Sequence, residues 1–285
     1  MILKHTDSRT GGEITFIQNE TSFRQSAAQN GNVFTLCWNQ GPDQQVWIDG
    51  IEFKFTSNSV LPLFANQSFS FEKASDIIAW QYNRDFYCII DHDKEVGCAG
   101  FLFFGSFGNL FIRMDQIHQQ KLDTLKSIFI EEFKTMDDIQ TEMLQMLLKR
   151  LIIITTRLAK EQFADLYPDN KFDLIRQFNM LVERNFKQQH EVQYYAGELN
   201  KSPKTLSNLF ARSNHKSPLK IIHDRIIIEA KRLMHYTDKS SKEIAYELGF
   251  EDAGHFSHFF KNVTGQNIKS YKKWESEGIS FELVK

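Results

Sequence analysis

Asp91-His92-Asp93-Lys94-Glu95-Val96-Gly97 gathers three carboxylates and an imidazole within seven residues, a composition suited to a hard cation. The spacing does not fit. A calcium loop needs glycine at its sixth place and a carboxylate at its twelfth, whereas here Gly97 is seventh and Leu102 twelfth. His5 is the only other histidine of residues 1–112, so that stretch offers no closely spaced His pair for zinc or iron, and His92 reads as a turn residue. Neither metal nor cofactor is expected. Cys37, Cys88 and Cys98 are odd in number and form no Cys-x-x-Cys pair, which reads as reduced thiols rather than a disulfide frame. No glycine-rich phosphate loop, Gly-x-Ser-x-Gly elbow or His-Glu-x-x-His pair occurs, so no catalytic constellation is expected. Arg84, flanked by Asn83 and Asp85, could hold an anion, with a salt bridge or an exposed turn as the plainer role.

The cations are more informative by position than by number. The net charge of the 285 residues is −2, but the balance is −4 over 1–114, −1 over 115–188, +5 over 189–274 and −2 over 275–285. A polyanion, if one binds, should meet the third block.

The elements that position these residues differ along the chain. Gln45 to Phe55 holds Asp49-Gly50 between two alternating runs, the signature of a two-residue hairpin whose turn needs positive φ. Further aromatic and β-branched runs at Glu13 to Ile17, Val33 to Trp38, Val60 to Phe64, Ile77 to Trp80, Phe86 to Ile90 and Phe101 to Phe104 imply an antiparallel barrel or sandwich over 1–112. Trp38, Trp47, Phe53, Phe55, Trp80 and Phe86 could line a ligand pocket, but at period two they read chiefly as core. Over 113–188 the period becomes helical: Leu122, Leu125, Phe129 and Phe133, then Leu147, Leu151, Ile154 and Leu158, form a helical hairpin joined near Lys134 to Asp137. Its stripe could pack within the chain or against a second copy. Tyr167-Pro168-Asp169-Asn170 breaks the pattern before a helix from about Lys171 to Lys187.

From residue 189 a unit occurs twice. Val192 to Asn200 reads as a short helix ending in a left-handed turn, and Ser202-Pro203 starts a second helix to Ala211, with Leu206, Leu209 and Phe210 inward. About fifty residues later the capping box Ser240 to Glu243 opens a helix ended by Gly249, and Asp252 caps another over Ala253 to Asn262 with Phe256, Phe259 and Phe260. Between them Pro218 to His235 reads as one long helix, with Leu219, Ile222, Ile226, Ala230 and Leu233 on one face. Its eighteen residues would span roughly 27 Å, near the roughly 34 Å between successive major-groove faces.

The second copy carries Ile244-Ala245, Gly249-Phe250, Phe256-Ser257, Phe260-Lys261, Gly265 and Tyr271 in the order that marks the DNA-binding domain of AraC/XylS-type transcription regulators, which residues 189–276 resemble. Asn267-Ile268 stands where that family has Ser/Thr-Pro and Lys272 where it has Arg, so the helix after Gly265 is expected to start differently. The resemblance implies base-facing positions at Lys204, Ser207 and Asn208 in the first unit and at Ala253, Gly254, His255, Ser257 and His258 in the second. Asn208 would suit adenine and Lys204 guanine, while Ala253 and Gly254 offer only close approach or a thymine methyl. Lys201, Lys216, Lys261, Lys269, Lys272 and Lys273 are the phosphate candidates.

By the same resemblance, 1–112 is a cupin-like sensor domain and 113–188 a helical connector and dimerisation region. The expected fold is α+β multidomain: an antiparallel β barrel or sandwich, a helical hairpin connector and an all-α domain with two helix-turn-helix units. The expected function is a sequence-specific DNA-binding regulator, not an enzyme, forming a homodimer and controlled by a small-molecule effector whose site is unknown. Double-stranded DNA is the expected partner, with RNA polymerase as a further one. A cupin-type enzyme fused to a DNA-targeting domain and an effector-independent architectural DNA-binding protein are the alternatives. The longest aliphatic run, Leu151 to Ile154, is too short for a membrane span and the N-terminus has no signal-like apolar core, which predicts a cytoplasmic protein without membrane contact.

Overall fold

The computed structural model describes residues 1–25, 33–64, 67–89, 102–103, 109–163, 170–212 and 216–271, the side chains of 170–173 and 235–236 excepted. The chain divides into two compact units, Met1–Asp169 and Asn170–Lys285.

The first unit holds β1 (Ile2–Thr6), β2 (Glu13–Gln18), β3 (Arg24–Gln25), β4 (Val33–Asn39), β5 (Gln44–Ile48), β6 (Ile51–Phe55), β7 (Ser59–Leu63), β8 (Phe69–Phe71), β9 (Ile77–Asn83) and β10 (Ile112–Arg113). They form two antiparallel sheets, β1-β2-β9-β4-β7-β10 and β3-β8-β5-β6. The Asp49-Gly50 hairpin forms as the sequence requires, with φ of 51° and 78°.

Register decides which side chains meet. Phe34 pairs with Tyr82, Leu36 with Trp80 and Trp38 with Ile78, so period two sets these six on one face of β4 and β9, with Cys37 and Ala79 on the other. Cys37 and Ala79 join Phe55, Leu61, Leu63, Phe69 and Phe71 in a core between the sheets. The Trp face meets the helical hairpin: Trp80 lies 5.9 Å from Phe129, and the Lys126 ammonium 5.6 Å from the Trp38 ring. Both faces of β4 are thus covered, which is why its residues after Val33 are buried without alternation.

The hairpin is α1 (Gln116–Glu132) and α2 (Gln140–Gln162). Asp115 caps α1 by accepting from the His118 N–H at 2.8 Å. Leu122, Leu125 and Phe129 of α1 and Leu144, Leu148, Leu151 and Ile152 of α2 are buried. Polar contacts fix α2 along the sheet. His5 Nε2 lies 2.7 Å from Thr141 Oγ1, Gln145 Nε2 donates to the Phe86 carbonyl at 2.8 Å, and the Gln162 amide exchanges hydrogen bonds with the Arg113 backbone. Arg9 bridges Asp7 and Glu142.

Three local expectations change. Phe86 to Ile89 is not a strand, because Asn83 Oδ1 accepts from the Phe86 N–H and turns the chain; Ile90 lies outside the described residues. Leu102 and Phe103 are helical and buried rather than extended, a distinction that a short apolar run does not carry; Phe101 and Phe104 lie outside the described residues. The edge strand β1 is an addition, half exposed, paired in the sheet with β2 and tied to α2 through His5. Trp38, Phe55, Trp80 and Phe86 are core, whereas Trp47 is exposed. Cys98 and the stretch 91–97 lie outside the described residues.

Phe129→Ala is expected to cost about 3–5 kcal/mol, since the ring is fully buried against Trp80 and Phe133. Ile51→Thr, on an exposed strand position, should change stability by about 0.5 kcal/mol or less. Urea unfolding of the two variants checks the contrast.

Candidate nucleic-acid interface

The second unit contains α3 (Asn170–Asn185), α4 (Val192–Glu198), α5 (Pro203–Arg212), α6 (Pro218–Tyr236), α7 (Ser241–Glu247) and α8 (Ala253–Thr264). The pairs α4-α5 and α7-α8 repeat one geometry. Asn200 (φ 52°) and Gly249 (φ 77°) end the first helix of each pair in the left-handed region. The N–H of Lys201 reaches the Ala196 carbonyl and that of Phe250 the Ala245 carbonyl, each at 2.9 Å. Ser202 Oγ then accepts from the Thr205 N–H at 3.1 Å, and Asp252 Oδ1 from the His255 N–H at 2.8 Å, capping α5 and α8 at the same position.

The two second helices bury the same positions. Leu206 and Phe210 match Phe256 and Phe260 as fully buried, and Leu209 matches Phe259 as half-buried. Their outward faces therefore also match. Lys204, Ser207 and Asn208 on α5 and Gly254, His255, Ser257 and His258 on α8 are exposed, with Ala253 half-buried at the start of α8. The Ser257 hydroxyl donates to the Ala253 carbonyl at 2.7 Å, leaving its oxygen to accept, and His258 Nδ1 lies 3.1 Å from the Asn262 amide.

Of the phosphate candidates, Lys201, Lys261 and Lys269 are exposed and make no ion pair among the described residues. Lys216 is exposed but engaged, 2.8 Å from Asp224, which also takes Lys220 at 2.9 Å. Lys272 and Lys273 lie outside the described residues. The departure at Asn267-Ile268 is accommodated. Asn267 Oδ1 accepts from the Ser270 N–H at 2.7 Å as a cap, and Ile268 is buried where a proline would stand.

Two elements seat α5 and α8. α6 runs nineteen residues, about 28 Å, and buries Ile222, Ile226, Ile227, Ala230 and Leu233. Leu219, expected on that face, is exposed because it sits in the first turn, before the helix enters the core. The other element is α3. The expected connector runs over 113–188 and so includes α3, yet α3 packs with the C-terminal unit: Phe178 lies 5.5 Å from Tyr195 and 5.1 Å from Phe210, with Ile175, Val182 and Phe186 in the same core. The 3, 4, 4 spacing of Ile175, Phe178, Val182 and Phe186 was the available signal, but periodicity names a buried face and not its partner.

Charges complete the seat. Arg225 on α6 is buried, donating from Nε to both Glu183 carboxylate oxygens at 2.8 and 2.9 Å, with its guanidinium 3.9 Å from the Phe186 ring. Glu229 accepts from Arg225 at 3.3 Å and from Arg232 at 2.7 Å, and Lys187 bridges Glu229 (3.6 Å) to Glu247 (3.2 Å), which also binds Lys239. Burial pushes the Glu229 carboxyl up, but the Arg232 hydrogen bond and the charges of Arg225, Arg232 and Lys187 outweigh it and hold it below its ordinary value. His190 bonds the Leu248 carbonyl at 2.8 Å and lies 4.7 Å from Phe250, and burial holds its pKa below the ordinary histidine value.

Gly249 is required twice over. Its φ favours glycine, and a Cβ there would fall 2.1 Å from the Lys187 carbonyl oxygen. Gly265→Ala, at φ 76° with open space around it, should incur only the left-handed cost of about 1–2 kcal/mol, and Gly249→Ala clearly more. Hydrogen exchange of α7 and α8 amides in the full chain measures both. A carboxyl with a depressed folded pKa stabilises above its unfolded value of 4.5 and loses that contribution as pH falls through the folded pKa. The stability gap between wild type and Glu229→Gln should therefore be widest near neutrality and shrink below about pH 4.5; a gap independent of pH would contradict the network's role.

A family model described as a helix-turn-helix domain matches residues 195–273. The HTH-type transcriptional activator RhaS of Enterobacter sp. (strain 638) is 27% identical over 93 residues, 33% of this chain and 34% of that protein, so the match spans about a third of the relative's own length. Among solved structures, unsaturated fatty acid-bound ToxT from Vibrio cholerae strain SCE256 aligns over 99% of this chain and 97% of its own at 17% identity and a TM-score of 0.46. The DNA-binding domain of AdpA in complex with a target DNA aligns over 37% and 95% at 21% identity and a TM-score of 0.33. The doubled helix-turn-helix geometry and the family match cover the same residues, so the C-terminal unit of this chain holds a helix-turn-helix domain.

Proposed function

We propose that the chain is a sequence-specific, double-stranded DNA-binding regulator, not an enzyme, whose α5 and α8 enter successive major grooves. The observation that carries this is the matched outward face of two identically capped helices, joined through the nineteen-residue α6. Asn208 and Lys204 read base edges by paired hydrogen bonds, His255, Ser257 and His258 add single contacts, Ser207 supports the first set, and Ala253 and Gly254 allow close approach. Lys201, Lys261 and Lys269, with Lys216, Lys272 and Lys273, neutralise phosphates. RhaS is named a transcriptional activator, and by that likeness activation through RNA polymerase is the reading adopted for this cytoplasmic protein.

The first unit serves as a cupin-like sensor for a small-molecule effector and as the dimerisation module. Support for a homodimer comes from an exposed apolar patch at the start of α2: Met143 and Met146 on the helix, with Met136 and Ile139 in the turn before it, exposed by 38–93%. The 113–188 connector passes the response to the readers, and α3 is where we place the point of control.

Selection from random DNA by the full-length chain should return two blocks about one helical turn apart. Recovery of nothing by the full-length chain or by residues 170–285 would reject the reading. Asn208→Ala should cost about 1–3 kcal/mol at one base position and relax specificity there, whereas Lys201→Ala should weaken all sites alike and lower the salt slope by about 0.9. Met143→Glu with Met146→Glu should yield a folded monomer in sedimentation; a persistent dimer would place the interface elsewhere.

A further inference from the structure

The sharpest candidate outside the DNA-binding face is a cavity of about 360 Å³ in the first unit, between the chain leaving β9 and one face of α2. One wall is Arg84 to Cys88; the other is Glu142, Gln145, Met146 and Lys149, which recur at i, i+3, i+4 and i+7 and so face the same way. The walls are pinned to each other, since Gln145 donates to the Phe86 carbonyl. The space is therefore built into the fold rather than opened by a loose loop, and its volume is at the small end of ligand pockets.

Its lining carries two cations, Arg84 and Lys149, and two carboxylates, Asp85 and Glu142. Arg84 is half-buried and has no ion pair among the described residues, although two carboxylates line the same cavity. Glu142 is engaged by Arg9 at 3.2 Å, and Asp85, adjacent in the chain, is exposed. A guanidinium removed from much of its water and left without a carboxylate is a poor resting state and a good receptor for a planar anion. Phe86, Tyr87 and Met146 add apolar surface beside it.

We propose that this cavity is an effector site for a small organic anion, with Arg84 gripping the carboxylate or phosphate and the apolar wall taking the body. This rests on the reading of the chain as an effector-controlled regulator and gives that control a place. Met146 belongs both to the cavity and to the exposed patch proposed for dimerisation, so an occupant touches the surface through which two copies would meet.

Calorimetric titration of the full-length chain with benzoate, phenyl phosphate, inorganic phosphate and uncharged benzamide tests it. Saturable binding of benzoate or phenyl phosphate at one per chain is expected, with the preferred probe identifying the head group, and no binding of benzamide. Arg84→Gln should weaken that binding by roughly tenfold or more and Arg84→Lys by less. No saturable binding by either organic anion, binding indifferent to Arg84→Gln, or inorganic phosphate binding as tightly as phenyl phosphate would each overturn the proposal. DNA binding measured on the same preparations separates the two readings: a chain that binds DNA but no anion loses only the cavity, and one that binds the anion but no DNA loses the regulator.

Discussion

A buried guanidinium must be paired, and in the C-terminal unit that requirement falls on Arg225. Its planar fork can be satisfied only if Glu183 of α3 and Glu229 one turn along α6 stand on either side, with the Phe186 ring against its face. Removing one partner of such a pair typically costs about 3–5 kcal/mol, because the remaining charge is left in a medium that does not solvate it. The attraction of the paired carboxylates outweighs the burial that would lower the Arg225 pKa, so the group stays charged. The Arg225–Glu183 pair thus ties α3 to α6 within the apolar core that Ile175, Phe178, Val182 and Phe186 share with Ile222, Ile226 and Ala230.

From that fixed pair the two helix-turn-helix units inherit their positions. The first rests on α3 through Phe178, Tyr195 and Phe210; the second meets the end of α3 where Gly249 approaches the Lys187 carbonyl and His190 reaches Leu248. Lys187 extends the charge network from Glu229 to Glu247 on α7. α3 is thus a common base for both helix-turn-helix pairs. A shift of α3 would act on both helix-turn-helix pairs together, which suits the proposed presentation of two helices to one duplex.

The first unit solves a different problem. Its central strands bury both faces, the large Trp face and the smaller Cys37 and Ala79 face, so the six-stranded sheet is covered twice, by the helical hairpin and by the four-stranded sheet. α2 supplies that cover with one stripe and still exposes a second, at Met143 and Met146. A helix buried on one side and apolar on another can join an intrachain core to an intermolecular one.

Much of this was written in residue types whose effect is local. Asp49-Gly50 sets the hairpin, Ser240 with Glu243 the start of α7, Gly249 and Asn200 the two tight turns, and the repeat of Leu206-Phe210 by Phe256-Phe260 the pair of readers, because each acts through its own dihedrals or within one helical turn. What only the tertiary structure decided are the partnerships. Periodicity marked the buried face of α3 but not the unit it joins, the apolar pair Leu102-Phe103 did not distinguish strand from helix, and nothing local announced that Arg225 would find Glu183 forty-two residues away or that Arg84 would have no ion pair among the described residues. Burial and pairing are properties of what else arrives in space, and sequence distance carries no information about that arrival.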